Sequence, residues 1–534
     1  MPLLLGLDIG TSAAKGVVVD TSAQQQRIIA EASVEYPLSQ PCPGWSEQDP
    51  EDWWLAVCRI SRELVNRTAV GGAEGRPIAA LGLSGQMHGS VFLGDNAGAL
   101  AGRANALRPA ILWNDQRTSL ECKQIEHAAG GARGGGKRRL IELVGNAALP
   151  GFTLPKVLWL RDNEPERFKR VRTILLPKDF IRYRLTGQLA TDVSDASGVL
   201  ALDVDARTKW SHTLLSALNL DQTLFPPVLE SCAVAGLISG WAADQTGLPI
   251  GTPVVAGAGD NQAGAIGAGV VTPGIVLAAL GTSGVIYAHT DQPRRDFPAP
   301  GALADAPIGR LHTMCAADGT ASQPGGWSLT GCMLSAAGSL RWARTVLAPD
   351  RSYDDLCAEA ATVAPGCEGL IFLPYLTGER CPHPDPHARA GWIGLTSRHT
   401  RAHMIRAVLE GVAFGMTQML DLMRAAGVTV SAARLGGGGA RSPLWRQILA
   451  DNFNVPCQLV GAGGDEGPAL GAAIMAGVGA NTFPSAAAAC ISLIPIVSEI
   501  HPNSTTTAAY TQPRDTYDHL YHDLRSTFTE LSAT

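Results

Sequence analysis

The sequence predicts an α/β fold of two similar halves, each a mixed sheet flanked by helices, meeting across a cleft. Three observations carry that expectation. The chain has 534 residues, beyond the ~250–300 at which single hydrophobic cores stop growing. Residues 3–20 (LLLGLDIGTSAAKGVVVD) read as strand, Gly-Thr-Ser turn, strand, and the pattern returns at 276–288 (VLAALGTSGVIYA). Around these hairpins, short apolar runs end in glycine-rich or polar junctions that open helices, as in a mixed α/β chain. The expected division is 1–256 and 257–534.

Composition narrows the function classes. Hydrophobic residues make up 46% and charged residues 17%, a globular chain with ample core. A net charge of −6 offers no electrostatic footprint for nucleic acid. The 11 cysteines are scattered, without a CxxC pair or a Cys/His ligand spacing, which suits reduced thiols in a cytoplasmic enzyme. The apolar run before Asp8 is too short for a secretory signal, and no run approaches the ~18 apolar residues of a membrane span.

In the first hairpin, the apolar runs Leu3–Leu7 and Gly16–Val19 bracket a tip carrying Asp8, Gly10, Thr11, Ser12 and Lys15. Successive amides at such a turn form an anion-binding concavity, and hydroxyls add donors for phosphate oxygens. A carboxylate beside a phosphate nest is repulsive unless a cation lies between, so Asp8 suggests Mg²⁺. An ordinary outward-facing hairpin is the plain alternative. Next, Asp49-Pro50-Glu51-Asp52 starts a helix continuing through Trp53, Val57 and Leu64. Ala79 to Ser84 reads as a buried strand running into SGQMHG, which places Gln86, Met87 and His88 at a strand end, where α/β folds bind ligands. His88 by itself is equally a structural histidine. ILWNDQRT (111–118) is a second strand-to-polar junction, offering Trp113, Asn114 and Asp115 to hydroxyls. The basic, glycine-rich stretch 130–139 reads as a surface loop without chemistry.

At the centre lies GAGDNQAGAIGAG (257–269), preceded by the strand-like Pro253–Ala256. Its glycines let other groups approach one carboxylate, Asp260, flanked by Asn261 and Gln262. Asp260 suits a general base, and equally an N-cap for a helix over Ala263–Val270. After the second hairpin, a helix is expected from Thr400 to about Ala426, with Gly411 and Gly415 allowing close packing and Gly427 as the stop. Leu435 leads into GGGGARSPLWRQILAD (436–451), where Ser442 caps a helix begun by Pro443. Four glycines there let adenine or ribose lie against backbone, and the spacing does not match the GxGxxG of dinucleotide folds. Cys457–Val460 is a further strand, followed by DEGPALGAAIMAG, whose small residues suit close packing.

Taken together, GLDIGTSAAK, GWSEQDPEDWW, SGQMHG, AILWNDQRT, LPKDF (176–180), TDVSDASG (191–198), GAGDNQAGAIGAG, LGTSG, LPYLTGER (373–380), LEGVAFG (409–415), GGGGARSPLWRQILAD and GDEGPALGAA resemble the FGGY carbohydrate kinases along nearly the whole chain. The resemblance implies two actin-like, ribonuclease-H-type domains closing on a cleft, and ATP with Mg²⁺ as phosphoryl donor. It implies that Asp260 is the base and that Asp8 is the acid near the metal and phosphates. Met87 and His88 would contact a ketose, with Asp260, Asn261, Trp113 and Asp115 toward sugar hydroxyls. Thr11, Ser12, Lys15, Gly281 and Thr282 would face phosphates, and Gly437, Gly438 and Arg441 the adenosine. Within the family, GQMHG points to D-xylulose as substrate and D-xylulose 5-phosphate as product. Another ketose, polyol or sugar acid, or a non-catalytic actin-like ATPase, are the alternatives. The implied partners are a small sugar and ATP, with no nucleic acid or membrane, in a cytoplasmic enzyme for which a homodimer is an option. Residues 130–139, those around 99–106 and the C-terminus depart from the compact family pattern.

Overall fold

The computed structural model describes residues 2–22, 27–70, 76–95, 106–130, 135–298, 307–461 and 467–532. It opens with the expected hairpin: β1 (Leu3–Ile9) and β2 (Ala13–Asp20) are antiparallel, with Asp8 opposite Lys15. β3 (Ile28–Glu35) adds to β2, and α1 (Pro50–Val70) carries the chain to β4 (Ile78–Gly85), parallel to β1. Pro50 is the first helical residue and Asp49 Oδ1 accepts from the Glu51 amide at 3.0 Å, while Trp53, Val57 and Leu64 are fully buried. The start signals therefore do what their chemistry dictates.

Between β4 and the rest of this sheet lies a helical block: α2 (Ser119–Gly130), α3 (Gly136–Val144), α4 (Thr153–Asn163), α5 (Pro177–Thr186) and α6 (Val193–Ser197). Here one expectation fails. Much of 130–139 is helix rather than loop, because Leu140, Ile141 and Val144 bury one face of α3 and draw Gly136–Arg139 into its first turns. Residues 131–134 lie outside the described residues, as do 99–105 and Asp465 and Glu466 of the GDEG motif. The first sheet is completed by β5 (Val234–Leu237), β6 (Pro253–Val255) and β7 (Ala258–Gly259), in the order β5-β6-β4-β1-β2-β3, with β7 pairing on the end of β4. α7 (Asp260–Gly267) follows directly.

The second sheet repeats the plan. β8 (Gly274–Leu280) and β9 (Gly284–Thr290) form the second hairpin, followed by β10 (His312–Cys315) and β11 (Trp327–Met333). α8 (Ala337–Leu347) and α9 (Arg401–Ala425) precede β12 (Val430–Gly436), then α10 (Pro443–Phe453), β13 (Cys457–Val460), α11 (Gly467–Gly479) and β14 (Ile496–Ile500). The order is β10-β11-β9-β8-β12-β13-β14. In both sheets a hairpin takes a third antiparallel strand on one side and two parallel return strands on the other: β3-β2-β1-β4-β6 and β11-β9-β8-β12-β13.

α9 is the spine of the second core. Gly411 packs so closely that a Cβ there would lie 2.1 Å from the Phe372 carbonyl oxygen. Gly427, at φ 88°, follows its end. α11, although it comes from the far end of the chain, lies on the first sheet. A Cβ on Gly6 would sit 1.9 Å from Ala469 O, and one on Gly82 1.9 Å from Ala472 O. Among the described residues no helix is long and apolar enough to cross a membrane.

Candidate active site

Strand register brings the acidic residues together. β1 and β4 pair with Asp8 beside Ser84, and β4 and β7 pair with Ala258 beside Ser84 and Gly259 beside Gly85. Asp8 and Asp260 therefore stand at the same end of one sheet, two strands apart. Gly259, rather than Asp260, is the N-cap of α7, and its amide donates to Ser194 Oγ at 3.3 Å. Asp260 is the first helical residue, so the capping alternative falls away and its carboxylate is left for the cleft. Burial and the neighbouring Asp8 charge push its pKa up to about 7. Burial likewise raises Asp8 to about 6, against the pull of the Ser84 hydroxyl and of Lys15, while Asp8 Oδ1 is buried without a hydrogen-bond partner.

A cavity of about 370 Å³ opens beside Asp260. Its lining includes Met87, His88, Trp113, Asn261 and Thr11 from the first half, and Ser283, His312 and Arg380 from the second. Beyond the β4 end, His88 adopts φ 66°, a costly conformation for a non-glycine residue and one that clusters at functional sites. Its carbonyl accepts from Thr153 Oγ1 at 3.0 Å and Lys156 Nζ at 2.9 Å, which fixes the turn. His88 Nδ1 lies 2.9 Å from Gly198 O, an atom that only accepts, so Nδ1 carries the proton and Nε2 is an acceptor. Burial, with Lys156 nearby, lowers the ring to about 3, keeping it neutral. Asn261 Nδ2 reaches Met87 Sδ at 3.7 Å, linking two of the expected sugar contacts.

The first hairpin tip is held from three sides. Trp113 Nε1 donates to Thr11 Oγ1 at 2.9 Å, Gln48 Nε2 to Thr11 O at 2.7 Å, and the Tyr36 hydroxyl to Gly10 O. Thr11, expected at phosphate, lines this first cavity; Ser12 and Lys15 line neither cavity. Asp115, expected at sugar hydroxyls, is turned away. It is fully buried, with Oδ2 accepting from the Ser46 amide at 2.6 Å and Arg117 Nη2 at 2.7 Å, and Oδ1 from Arg117 Nε at 2.9 Å. An arginine two residues on claims the carboxylate, and the Arg117 guanidinium in turn stacks 3.5 Å over Trp45.

A second cavity, about 640 Å³, lies in the other half, lined by Gly281, Thr282, Gly438 and Arg441 together with Arg341, Tyr353 and Trp445. Pairing of β8 with β12 sets Ala279 beside Gly436, which carries the two glycine junctions side by side. Gly437, at φ 78°, lets the chain pass so close to β8 that a Cβ would meet Leu280 O at 2.5 Å. Ser442 caps α10 as expected, accepting from the Trp445 amide at 3.3 Å. The turn Gly281-Thr282-Ser283 divides the cavities: Ser283 faces the one with Asp260, and Gly281 and Thr282 face the other. Sequence reasoning missed Ser283, His312, Phe152 and Arg341. Arg380 ends the LPYLTGER motif, in which nothing local marks the arginine for a role. His312 and Arg341 stand in no pattern that could have singled them out.

Two duplicated lobes, a carboxylate in one cavity and a glycine turn shared with a second cavity define a phosphotransferase acting on a small alcohol. Sequence comparison makes this specific. Residues 3–267 match the N-terminal domain of the FGGY family of carbohydrate kinases, and 276–480 its C-terminal domain. The chain is 37% identical over 522 residues to xylulose kinase of Escherichia coli (strain K12), covering 98% of this chain and 99% of the relative. It is 34% identical over 533 residues to that of Bacillus subtilis (strain 168), covering 100% and 99%. A crystal structure of a "xyloylose kinase" from Brucella ovis superposes with a TM-score of 0.85 at 34% identity, covering 98% of this chain and 100% of that one. The chain belongs to the FGGY family of carbohydrate kinases, and it is an ATP-dependent sugar kinase.

Proposed function

We propose that the enzyme transfers the γ-phosphoryl group of ATP to the terminal hydroxyl of D-xylulose, giving D-xylulose 5-phosphate. The observation that carries this reading is the Gly281-Thr282-Ser283 turn, one side open to Asp260 and His88, the other to the glycine-lined cavity. An acceptor in the first cavity and adenosine in the second would leave the phosphates crossing that turn. Neutral His88 offers Nε2 to a sugar hydroxyl, and Asn261 and Trp113 line the same wall. The named relatives support xylulose as the ketose, since those from Escherichia coli and Bacillus subtilis are xylulose kinases.

Phosphoryl transfer passes through a loose transition state, so the protein mainly positions reactants and balances charge. Asp260 orients the attacking hydroxyl and takes its proton as the O–P bond forms. Gly281 and Thr282 of the second hairpin tip would offer their amides to the phosphate oxygens. Asp8 fits Mg²⁺: its buried Oδ1 has no partner, and Mg²⁺ is commonly held by one or two carboxylates plus phosphate oxygens and water. Among the described residues no group of three or more His, Cys, Asp or Glu side chains is placed to hold a metal ion. The bound ion would supply positive charge at the phosphates. Lobe closure would exclude water, the competing acceptor. We take 1–256 and 257–534 as the two lobes, except that β7 and α7 stay with the first sheet and α11 crosses back to cover it.

A coupled ADP-release assay across ketoses, polyols and sugar acids tests the substrate. The expected result is the highest kcat/KM on D-xylulose. A sugar acid is the sharpest competitor, because a gluconate kinase from Lactobacillus acidophilus also superposes with a TM-score of 0.86 at 27% identity. A clear preference for gluconate or glycerol overturns the xylulose reading, and equal ATP turnover with no acceptor overturns the sugar kinase itself.

A further inference from the structure

The lining of the acceptor cavity contains one carboxylate, Asp260, and one Lys or Arg side chain, Arg380, the two brought from opposite lobes. Arg380 ends the segment LPYLTGER and is exposed toward the cleft. Among the described residues its guanidinium forms no ion pair and no hydrogen bond. The adjacent acid does not neutralise it by contact. Glu379 Oε1 instead accepts from the Leu334 amide at 2.9 Å and the Arg380 amide at 2.7 Å. Glu379 also exchanges backbone hydrogen bonds with Asp385, at 2.9 and 3.0 Å. The peptide carrying Arg380 is therefore tied down from both sides while its side chain is left without a partner. That side chain lies near enough to His88 and His312, which both pack edge-on against Phe152, for its charge to disfavour protonation of both.

A charged guanidinium aimed at a neutral sugar has little to offset its own desolvation. Charge arrives only with the reaction. The sugar oxygen forms a bond to phosphorus, the bond from phosphorus to the ADP oxygen breaks with its electron pair staying on ADP, and the hydroxyl proton passes to Asp260. The cavity that held a neutral alcohol then holds a phosphate ester. An arginine fork matches phosphate oxygens in pairs, and contacts formed only as the reaction proceeds raise kcat rather than ground-state affinity.

We propose that Arg380 is a catalytic residue that grips the phosphoryl group as it enters the acceptor cavity and then holds the phosphate of the product. This rests on the kinase reading above and not on which sugar is accepted.

The test is steady-state kinetics of the full chain carrying Arg380→Met, Arg380→Lys or Arg380→Ala, using the best acceptor of the wild-type panel. Arg380→Met should lower kcat by about 10²–10³, the usual loss for one transition-state donor, with sugar KM changed by less than about threefold. Inhibition by added sugar phosphate should weaken at least about tenfold. Arg380→Lys should recover part of kcat, and millimolar guanidinium should rescue Arg380→Ala but not Arg380→Met, where the longer side chain fills the space. Sugar binding followed by calorimetry confirms that each variant is folded. A near-normal kcat in Arg380→Met overturns the proposal. A raised sugar KM with unchanged kcat also overturns it, and makes Arg380 a sugar ligand. Failure of the kinase reading is seen separately, as wild-type enzyme that phosphorylates no acceptor in the panel.

Discussion

In the first hairpin, Asp8 and Lys15 face each other across β1 and β2; in the second, the residue two before the Gly-Thr-Ser turn is Ala279, paired with Val285. The surroundings differ in the same sense. Side chains of Trp113, Gln48 and Tyr36 hold the first tip. Backbone holds the second: Gly281 O accepts from the Ala337 amide at 2.8 Å, and Thr282 O from Ala336 at 2.8 Å and Gly338 at 3.1 Å. One backbone form thus serves two purposes. The first copy carries an ionisable pair, Asp8 and Lys15, next to its turn. The copy between the cavities has none at these positions, and on the proposed reading a second carboxylate there would add repulsion toward the phosphates.

Four experiments bear on that contrast. The largest effect is expected from Asp260→Asn, which keeps the shape and removes the base beside the first hairpin. kcat should fall by ~10²–10⁴ with sugar KM changed less, measured by ADP release. Retention of most of the activity would deny the carboxylate any part in proton transfer.

Asp8→Ala gives the first tip the side chain of the second. kcat should fall by about 10²–10³ as the phosphates lose their organised charge. Its pH profile is the sharper readout. Asp260 works ionised and its pKa stands near 7, so kcat/KM of the wild type should rise with pH up to about 7 and level off above. The Asp8 carboxylate is part of what raises Asp260, so the variant's acid limb should move to lower pH. An unmoved limb would separate the two carboxylates electrostatically.

His88→Ala should cost about 1–3 kcal/mol in kcat/KM for the sugar and leave ATP affinity without sugar unchanged. Normal xylulose kinetics would make His88 a purely structural residue. The smallest effects come from matched changes at the two tips. Thr11→Val should raise sugar KM, and Thr282→Val should raise ATP KM, each by about 0.5–1.5 kcal/mol, the scale of one hydrogen bond. If each variant disturbed both substrates equally, the turn would not partition the site.

The fold was legible because its signals are local. The Gly-Thr-Ser turns, the Asp49-Pro50 and Ser442-Pro443 helix starts and the Cys457–Val460 strand are each fixed by neighbours within a few residues. The 130–139 stretch misled because its glycines hid the apolar face supplied by Leu140, Ile141 and Val144 further on. Asp260, Met87 and Asn261 were legible as motifs, and the structure brings them to one cavity. Asp115 looked as available as they did, since nothing in ILWNDQRT tells which way the carboxylate turns once Arg117 and the Ser46 amide compete for it. Thr11 could be placed on a hairpin tip but not assigned to a cavity, because that depends on a tryptophan reaching it from residue 113. His312 and Ser283 reach the acceptor only when the second lobe folds against the first, a relation no local pattern encodes.

The position of α11 has a consequence for how the chain is made. A ribosome releases the polypeptide from its N-terminus, so β1 and β4 emerge long before Gly467–Gly479, whose backbone presses against Gly6 and Gly82. Until that helix follows, one apolar face of the first sheet has no cover, and the first lobe cannot finish as an independent unit during synthesis. A nascent chain halted before Gly467 should therefore stay sensitive to protease and retain bound chaperone, and a chain released after Gly479 should lose both.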